Sequence, residues 1–194
     1  MTFEHFIAKR AQVLDDMNAM SATIEHAAQI VLNCLNSGRR LLACGNGGSA
    51  AQAMHFASEF VGRFKQVREP LSAFCLNSDG VLMSSIANDY GYERVFSRQI
   101  LAMATPRDLV CCFSTSGDSP NVVDALKIAR EMSVPTLAIL GRDGGDAKHF
   151  ADLSLVVPSN DSAVIQEMHL LMLHFICEFV EKHLRSSPVM VSAG

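Results

Sequence analysis

Apolar positions along the chain follow two patterns that predict different elements. At helical spacing they predict two amphipathic helices within residues 3–36, which Asn36-Ser37-Gly38 ends. Short continuous apolar runs predict buried strands at residues 41–44, 71–76, 108–113, 135–140 and 153–157. The segments between and after these runs predict helices at residues 49–61, 78–87, 95–103, 120–132 and 162–184. Strands that alternate with helices indicate an α/β sandwich with a parallel central sheet.

Turn residues set the boundaries of these elements. Ser49 is suited to the N-cap of the helix over residues 49–61. Asn88-Asp89-Tyr90-Gly91 is expected to end the helix that begins near residue 78. The tail, residues 185–194, is mostly small and polar, and we expect it to be flexible. We find no repeat and no low-complexity linker, so residues 1–194 are expected to form one domain.

Composition and charge narrow the class of protein. Apolar residues make up 49 % of the chain, charged residues 19 %, and the net charge is -4. With no basic tract, the chain is not expected to bind nucleic acid. We find no signal peptide and no apolar run long enough to span a bilayer, so no membrane partner is expected. The six cysteines lack CxxC spacing, which favours reduced thiols and a cytoplasmic protein.

A glycine turn follows the first predicted strand and opens a helix. Its sequence is Gly45-Asn46-Gly47-Gly48-Ser49. Backbone N–H groups at such a turn point outward and the helix dipole favours negative charge, so this geometry predicts an anion site. The same residues match a loose G-x-G-x-x-A dinucleotide fingerprint, which leaves a nucleotide-dependent oxidoreductase as an alternative with weak support.

A second polar turn follows the strand at residues 108–113. Ser114-Thr115-Ser116-Gly117-Asp118-Ser119 presents four hydroxyl groups directly before a helix that begins with Pro120. Hydroxyl and backbone donors at a helix start suit a phosphate monoester. The alternative is an ordinary serine-rich turn and N-cap. Two such turns at the carboxyl ends of two strands favour a ligand site.

A histidine and a carboxylate share one face of the helix that follows the glycine turn. His55 and Glu59 lie four residues apart, so their side chains are neighbours. An isolated pair of this kind is more often a solvated surface pair. Its position just after an anion site favours a functional pair instead.

These motifs together carry a resemblance to a known family. The Ser-Thr-Ser-Gly-x-Ser turn resembles that of the sugar isomerase (SIS) phosphosugar-binding domain. Further motifs resemble the bacterial sedoheptulose-7-phosphate isomerases, also called phosphoheptose isomerases: Gly45-Asn-Gly-Gly-Ser49, Met54-His55-Phe56, Gly62-Arg63-Phe64, Ala87-Asn88-Asp89-Tyr90-Gly91, Phe96-Ser97-Arg98-Gln99 and Ile165-Gln166-Glu167. The resemblance extends to about residue 184. It implies a three-layer sandwich whose N-terminal helices, residues 1–36, pack in a homotetramer with sites at subunit contacts.

The resemblance also implies a reaction and the residues that perform it. The family converts sedoheptulose 7-phosphate to D-glycero-D-manno-heptose 7-phosphate, the first step towards the ADP-heptose of lipopolysaccharide. It binds one divalent metal per subunit, commonly zinc, at positions that match His55, Glu59, Gln166 and His174. Glu59 is the implied base and His174 the implied acid. The implied substrate-binding residues are Asn46, Gly47, Gly48, Ser49, Glu59, Asn88, Asp89, Ser114, Thr115, Ser116, Ser119 and Gln166.

The last helix contains one departure from the family pattern and one spacing whose geometry limits how a metal could bind. Val164 stands where the family usually has Arg or Lys. Gln166 and His174 are eight residues apart, about 12 Å in rise and about 80° in azimuth, so they could meet one ion only from opposite sides. Because zinc prefers nitrogen and sulfur donors, a glutamine ligand leaves the metal identity open. His169 has no family role and is expected to be a packed or capping residue.

A non-catalytic relative is the main alternative. The chain also resembles the DnaA initiator-associating protein, a SIS-domain binding module, notably in Ile165-Gln166-Glu167-Met168-His169. That protein lacks the Glu and the second His of the metal set. Since Glu59 and His174 are both present here, the sequence favours the enzyme.

Overall fold

The structure is a computed structural model that describes residues 2–185. The tail predicted to be flexible lies, apart from Arg185, outside the described residues. The helices are α1 Phe3–Met17, α2 Ser21–Asn36, α3 Gly48–Val61, α4 Gly80–Tyr90, α5 Ser97–Met103, α6 Pro120–Glu131 and α7 Ser162–His183. The strands are β1 Leu41–Gly45, β2 Ala73–Cys75, β3 Leu109–Ser114, β4 Thr136–Gly141 and β5 Leu153–Val157. Short 3₁₀ turns occupy Asn18–Met20, Tyr92–Arg94 and Asp146–His149.

The five strands form one parallel sheet in the order β2-β1-β3-β4-β5. Every residue of β1, β3 and β4 is buried, as the continuous apolar runs predict for strands covered on both faces. The chain order of the strands reverses between β1 and β3, which pair from Leu41 opposite Leu109 to Gly45 opposite Phe113. Ligands of doubly wound sheets bind at the carboxyl ends of the strands at this reversal.

Helices cover the sheet on both sides and give the predicted three layers. Successive strand residues alternate between the faces, so Leu41 and Ala43 pack with α1, α2, α3 and α7. Leu42 and Cys44 point the other way and pack with α4, α5 and α6. The sandwich and the N-terminal helical stretch are therefore confirmed.

Three predicted boundaries were wrong. Helix α4 does not end before Asn88; it runs through Tyr90 and stops at Gly91, whose φ of 90° cannot continue a helix. Strand β2 is shorter than the apolar run over residues 71–76, because only three of its residues pair with β1 at the sheet edge. Helix α3 begins at Gly48 with Gly47 as its N-cap, so Ser49 is not the capping residue.

The expectation that no apolar segment is long enough to span a bilayer was wrong for helix α7. Contrary to the sequence expectation, its 22 residues are long and apolar enough to cross a bilayer by length and composition alone. However, Ile165, Leu173 and Ile176 have no exposed surface and pack in the core with α2 and α3. A core helix of a folded domain has the same composition, so this helix is not an argument for a membrane.

Candidate active site

The glycine turn closes tightly at the carboxyl end of β1. A Cβ on Gly45 would stand 2.7 Å from the carbonyl carbon of Ser49 and 2.9 Å from the carbonyl oxygen of Phe113, so no larger residue fits. Gly47 has a φ of 54°, a left-handed conformation that glycine adopts readily. These two glycines bring the N-terminus of α3 next to the end of β3.

A small polar cavity lies where β1 and β3 end. Its volume is about 90 Å³. It is lined by Asn46, Ser49, Phe113, Ser114, Thr115, Ser119 and Gln166. Six of these seven were predicted as substrate-binding residues, and the strand order explains why the five that lie at or after the ends of β1 and β3 meet; the sixth, Gln166, comes from α7. The polar lining and the adjoining starts of α3 and α6 suit a small anion such as a phosphate group.

The serine turn is ordered by its own side chains. The hydroxyl oxygen of Ser114 accepts a hydrogen bond from the Gly117 N–H at 3.0 Å, and that of Ser116 accepts from the Asp118 N–H at 3.1 Å. Ser119 is the N-cap of α6, yet its hydroxyl makes no capping hydrogen bond. Ser119 therefore has a hydroxyl available to a ligand, whereas Ser116 does not line the cavity.

Asn46 is held by residues that the sequence analysis missed. Its side-chain amide exchanges two hydrogen bonds of 2.8 Å with the amide of Asn121, and its Oδ1 accepts from the hydroxyl of Tyr92 at 3.2 Å. Asn77 supports the neighbouring backbone by accepting from the Gly45 N–H and donating to the Gly45 carbonyl. A polar residue on a buried helix face, as Asn121 is, is the one sequence signal that could have revealed this network.

Asn88 and Asp89 are not part of this cavity. Both are exposed on the last turn of α4, where the Asn88 amide donates to the Asp89 carboxylate at 2.8 Å. The longer α4 keeps them on regular helix rather than in a loop that could turn inward. Within this chain, the structure does not bring these two predicted residues to the others.

Helices α3 and α7 pack side by side, and their contact brings together the remaining predicted site residues. The Gln166 side chain lies against Gly48, where a Cβ would stand 2.8 Å from its Oε1. One turn further along α3, the Gln52 amide donates to the Gln166 carbonyl at 2.6 Å. Two turns along α7, the His174 ring lies 5.2 Å from the His55 ring. The eight-residue spacing of Gln166 and His174 thus places them at two points along α3.

His55, Glu59 and His174 form a cluster on these two helices. Nε2 of His55 lies 2.8 Å from Oε1 of Glu59, and the ring of Phe64 stacks on His174 with centroids 5.4 Å apart. Burial lowers the pKa of His174 most, and nearby His55 lowers it further, although Glu59 acts in the opposite direction. A neutral imidazole can accept a proton or bind a metal ion.

The predicted metal-binding residues include donor types that suit zinc, but the described residues do not bring three such donors together around one point. Two imidazoles and a carboxylate are common zinc ligands. Among residues 2–185, however, no three His, Cys, Asp or Glu side chains are arranged as a metal-binding group. The Glu59 carboxylate contacts His55 directly, and the Gln166 amide lies at the polar cavity.

His169 is a packed residue, as expected. It has no exposed surface, and its Nε2 donates to the Leu140 carbonyl at 2.9 Å. Its Nδ1 is buried without a hydrogen-bond partner. Burial lowers the pKa of His169 to about 4, while the bond to Leu140 raises it.

A larger cavity of about 520 Å³ opens elsewhere, lined among others by Ile30, Arg39, Arg107 and Leu109. Leu109 is the first residue of β3, so this cavity lies at the amino ends of the strands, whereas the two turns lie at the carboxyl ends. Size alone does not make it the reaction site, because none of its lining residues is a candidate substrate, metal or acid–base residue.

Comparison with known proteins identifies the family. A family model described as "SIS domain" matches residues 5–141. The phosphoheptose isomerase of Aliarcobacter butzleri is 44 % identical over 181 residues, which cover 93 % of this chain and 96 % of that one. The phosphoheptose isomerase of Citrifermentans bemidjiense is 50 % identical over 165 residues, 85 % of this chain and 86 % of that one. The chain belongs to the SIS domain family of phosphoheptose isomerases.

A solved structure from this family agrees with the fold. Phosphoheptose isomerase GmhA from Neisseria gonorrhoeae superimposes with a TM-score of 0.87 at 36 % identity, covering 93 % of this chain and 97 % of that one. The resemblance drawn from the motifs is therefore confirmed. The relatives are named as isomerases, which does not favour the non-catalytic alternative. The glycine turn belongs to a SIS domain rather than to a dinucleotide-binding fold.

Proposed function

We propose that this protein is a phosphosugar aldose–ketose isomerase, an intramolecular oxidoreductase that converts sedoheptulose 7-phosphate to D-glycero-D-manno-heptose 7-phosphate. This reaction supplies the first precursor of ADP-heptose in lipopolysaccharide synthesis. One observation carries the proposal: a phosphate-sized polar cavity and a His55–Glu59–His174 cluster lie along the same pair of helices. The phosphoheptose isomerase relatives support the choice of substrate.

The polar cavity is proposed to bind the phosphate of the substrate. Ser114, Thr115 and Ser119 would donate hydroxyl hydrogen bonds, and Asn46 and Ser49 would approach from the glycine turn. Phosphate bound there would orient the distant reacting carbons towards the cluster. Holding the reacting groups in a fixed geometry makes the reaction effectively unimolecular and so lowers its barrier. Ser116, Gly47 and Gly48 would contribute through the conformations of the two turns, and Gln166 would bind the sugar. Asn88 and Asp89 remain proposed substrate residues, most simply for a site completed by another subunit.

Glu59 is proposed as the base of the isomerisation. It would remove a proton from C1 of the open-chain ketose, leaving an enediol, and deliver a proton to C2 after exchange with water, which the partly exposed Glu59 side chain allows. In the same step the hydroxyl of C1 loses its proton and the oxygen of C2 gains one. His174 is proposed to exchange these oxygen protons, for which a neutral imidazole beside the base is suited.

His55, Glu59, Gln166 and His174 are proposed to hold one divalent ion per subunit, with zinc the favoured ion. Such an ion would polarise the substrate oxygens when bound. The proposal requires Glu59 to turn from His55, because a carboxylate that binds a metal firmly is not a free base. Metal analysis of the purified protein, compared with His55→Gln, tests it: the variant should lose the ion while keeping its folded circular dichroism spectrum.

The oligomeric state and the cellular location of the protein are also proposed here. We propose one SIS domain over residues 1–194, a homotetramer packed through residues 1–36 with sites at subunit contacts, and a cytoplasmic enzyme that binds neither nucleic acid nor membranes. Exposed apolar side chains on α1 support the assembly, notably Phe3, Ile7 and Leu14.

An isomerase assay tests the proposed function. Sedoheptulose 7-phosphate is incubated with the protein, with and without a chelator, and the aldose product is followed by NMR. Unphosphorylated sedoheptulose is the control and should react far more slowly, since it lacks the group that the polar cavity binds. No turnover of the phosphorylated sugar in the presence of added zinc would contradict the proposal.

A further inference from the structure

One segment beside the cluster has no part in the mechanism above. Residues 62–69, here called the strap, leave the end of α3 and cross α7 before the chain enters the sheet again. The Gly62 N–H still donates to the Ser58 carbonyl at 2.8 Å, and the Leu71 N–H returns to the Phe60 carbonyl at 3.0 Å. The strap is therefore an irregular loop whose two ends are both fixed to α3.

A buried carboxylate anchors the middle of the strap. Glu181 of α7 accepts hydrogen bonds from the backbone N–H groups of Phe64, Lys65 and Gln66, at 2.9, 2.8 and 2.9 Å. Its side chain is 3 % exposed. Burial raises the pKa of Glu181, but the three N–H groups and Arg68 outweigh that effect, so the pKa lies below the usual range. A carboxylate with so many donors holds a loop in one conformation.

Arg68 ties the strap to both helices. Its Nε donates to the Glu181 carboxylate at 3.2 Å. Its Nη1 donates to the Phe60 carbonyl at 2.8 Å, and its Nη2 donates to the Glu59 carbonyl at 2.6 Å. These are carbonyls of the last turns of α3, which lack partners within the helix and attract a cation. The backbone of the proposed base is thus part of the same network as the strap.

The anchored strap places an aromatic ring on the proposed acid. Phe64 stacks on His174 with ring centroids 5.4 Å apart and an angle of 29° between the planes. The His55 ring meets His174 edge-on at 5.2 Å and 77°. No hydrogen bond to His174 is present in the described part of the chain. The orientation of its imidazole is therefore set by packing, with Phe64 covering one face of the ring.

We propose that Phe64 is a positioning residue that fixes the plane of the His174 imidazole, and that Glu181 and Arg68 are the anchors that hold it there. The inference rests on the proposed function, since it assigns the strap to the acid of that reaction. An imidazole that can rotate reaches its productive orientation only part of the time, and small misplacements of catalytic groups reduce rates strongly. The strap would act on turnover rather than on substrate affinity, because none of its residues lines the polar cavity.

Kinetics of three variants separate positioning from general stability. Phe64→Leu removes the flat ring and should lower kcat at least about tenfold while KM changes by less than about twofold. Phe64→Tyr keeps the ring and should retain nearly the wild-type kcat. Val67→Ala is the matched control within the strap, because Val67 is 69 % exposed. An unchanged kcat in Phe64→Leu, or an equal loss in Phe64→Tyr, would overturn the proposal.

NMR of the histidine ring protons gives a readout that does not depend on activity. A ring stacked on His174 shields its protons, so Phe64→Leu should move the His174 signal downfield while Val67→Ala leaves it in place. The signal is assigned by its loss in His174→Gln. Glu181→Gln weakens the anchor and should move the same signal in the same direction. If the wild-type protein lacks isomerase activity, the proposed function is contradicted. If the chemical shift of the His174 signal is unchanged in both Phe64→Leu and Glu181→Gln, the positioning role is contradicted.

Discussion

Nε2 of His55 lies 2.8 Å from Oε1 of Glu59, one helical turn further along α3. The side chain of Glu59 is 18 % exposed and that of His55 is 37 % exposed, so the pair is partly shielded from water. His174 reaches the same point from α7. A helix-surface ion pair would lie in solvent; this one faces a second helix that carries another imidazole. That difference makes the pair a candidate for proton transfer.

The close contact between α3 and α7 gives the first prediction. Gly48→Ala should displace the Gln166 side chain, because the added Cβ would stand 2.8 Å from its Oε1. We expect isomerase activity to fall by at least about tenfold. Gly80→Ala is the matched control at the start of another helix, where a Cβ meets nothing within 4 Å and φ is not left-handed. It should leave activity unchanged and raise stability by up to about 1 kcal/mol. Equal activity in both variants would contradict the Gln166 contact.

The second prediction concerns phosphate. Ser119→Ala removes a hydroxyl that lines the polar cavity and makes no capping bond. Binding of sedoheptulose 7-phosphate should weaken by about 1–3 kcal/mol, the cost of leaving a charged acceptor unpaired. Calorimetry in a Glu59→Gln background measures binding without turnover. Ser84→Ala on the exposed face of α4 is the control. Unchanged affinity in Ser119→Ala would remove the phosphate from this cavity.

The third prediction concerns pH and His169. The pKa of this histidine is lowered from 6.5 to about 4 in the folded protein, mainly by burial. Between those values the unfolded chain binds more protons than the folded one, so the free energy of unfolding falls as pH drops from 6.5 towards 4. The loss contributed by His169 should reach about 3 kcal/mol. His169→Gln can still donate to the Leu140 carbonyl but does not titrate, so urea unfolding across this range should show a shallower pH slope. Equal slopes would mean that His169 titrates normally.

The fourth prediction concerns assembly. Leu171 is 49 % exposed in a groove between α1, α2 and α7 that Leu14, Met17 and Phe175 also line. Leu171→Glu should lower the mass in solution, because a buried subunit contact does not tolerate an unpaired charge. Analytical ultracentrifugation at micromolar concentration measures this, with Val81→Glu as a control at an 80 % exposed site on α4. A wild-type protein that is monomeric and fully active would contradict the proposed tetramer.

Much of the fold follows from local sequence, and the failures have local causes. Continuous apolar runs predicted β1, β3 and β4 within about a residue, because strands buried on both faces leave no other pattern. The run over residues 71–76 predicted a longer β2, since hydrophobicity does not reveal how far an edge strand pairs. The end of α4 depended on the backbone of Gly91, not on the polar residues before it.

The site was predictable only where the sheet itself brings residues together. Asn46 and Ser114 follow neighbouring strands, so their meeting could be inferred from the alternation of elements. How Gln166 and His174 approach α3 could not, because it depends on the packing of helices far apart in the chain. The contact of Phe64 with His174 was missed for the same reason.

The fifth prediction concerns the proton itself. Glu59→Gln keeps nearly the same shape and a carbonyl oxygen, but it cannot act as a carboxylate base. The variant should bind sedoheptulose 7-phosphate and remain folded, while its rate falls by about 10²–10⁴-fold. Loss of binding together with rate would instead indicate a structural role for Glu59.

Exchange of substrate hydrogen with deuterated water tests the central claim most directly. Wild-type protein, sedoheptulose 7-phosphate and deuterated water are combined, and NMR follows deuterium at C1 of the ketose and C2 of the aldose. The account predicts deuterium at both positions with the wild-type protein and almost none with Glu59→Gln. Exchange at the wild-type rate in Glu59→Gln would show that the base is another residue, which would contradict the account.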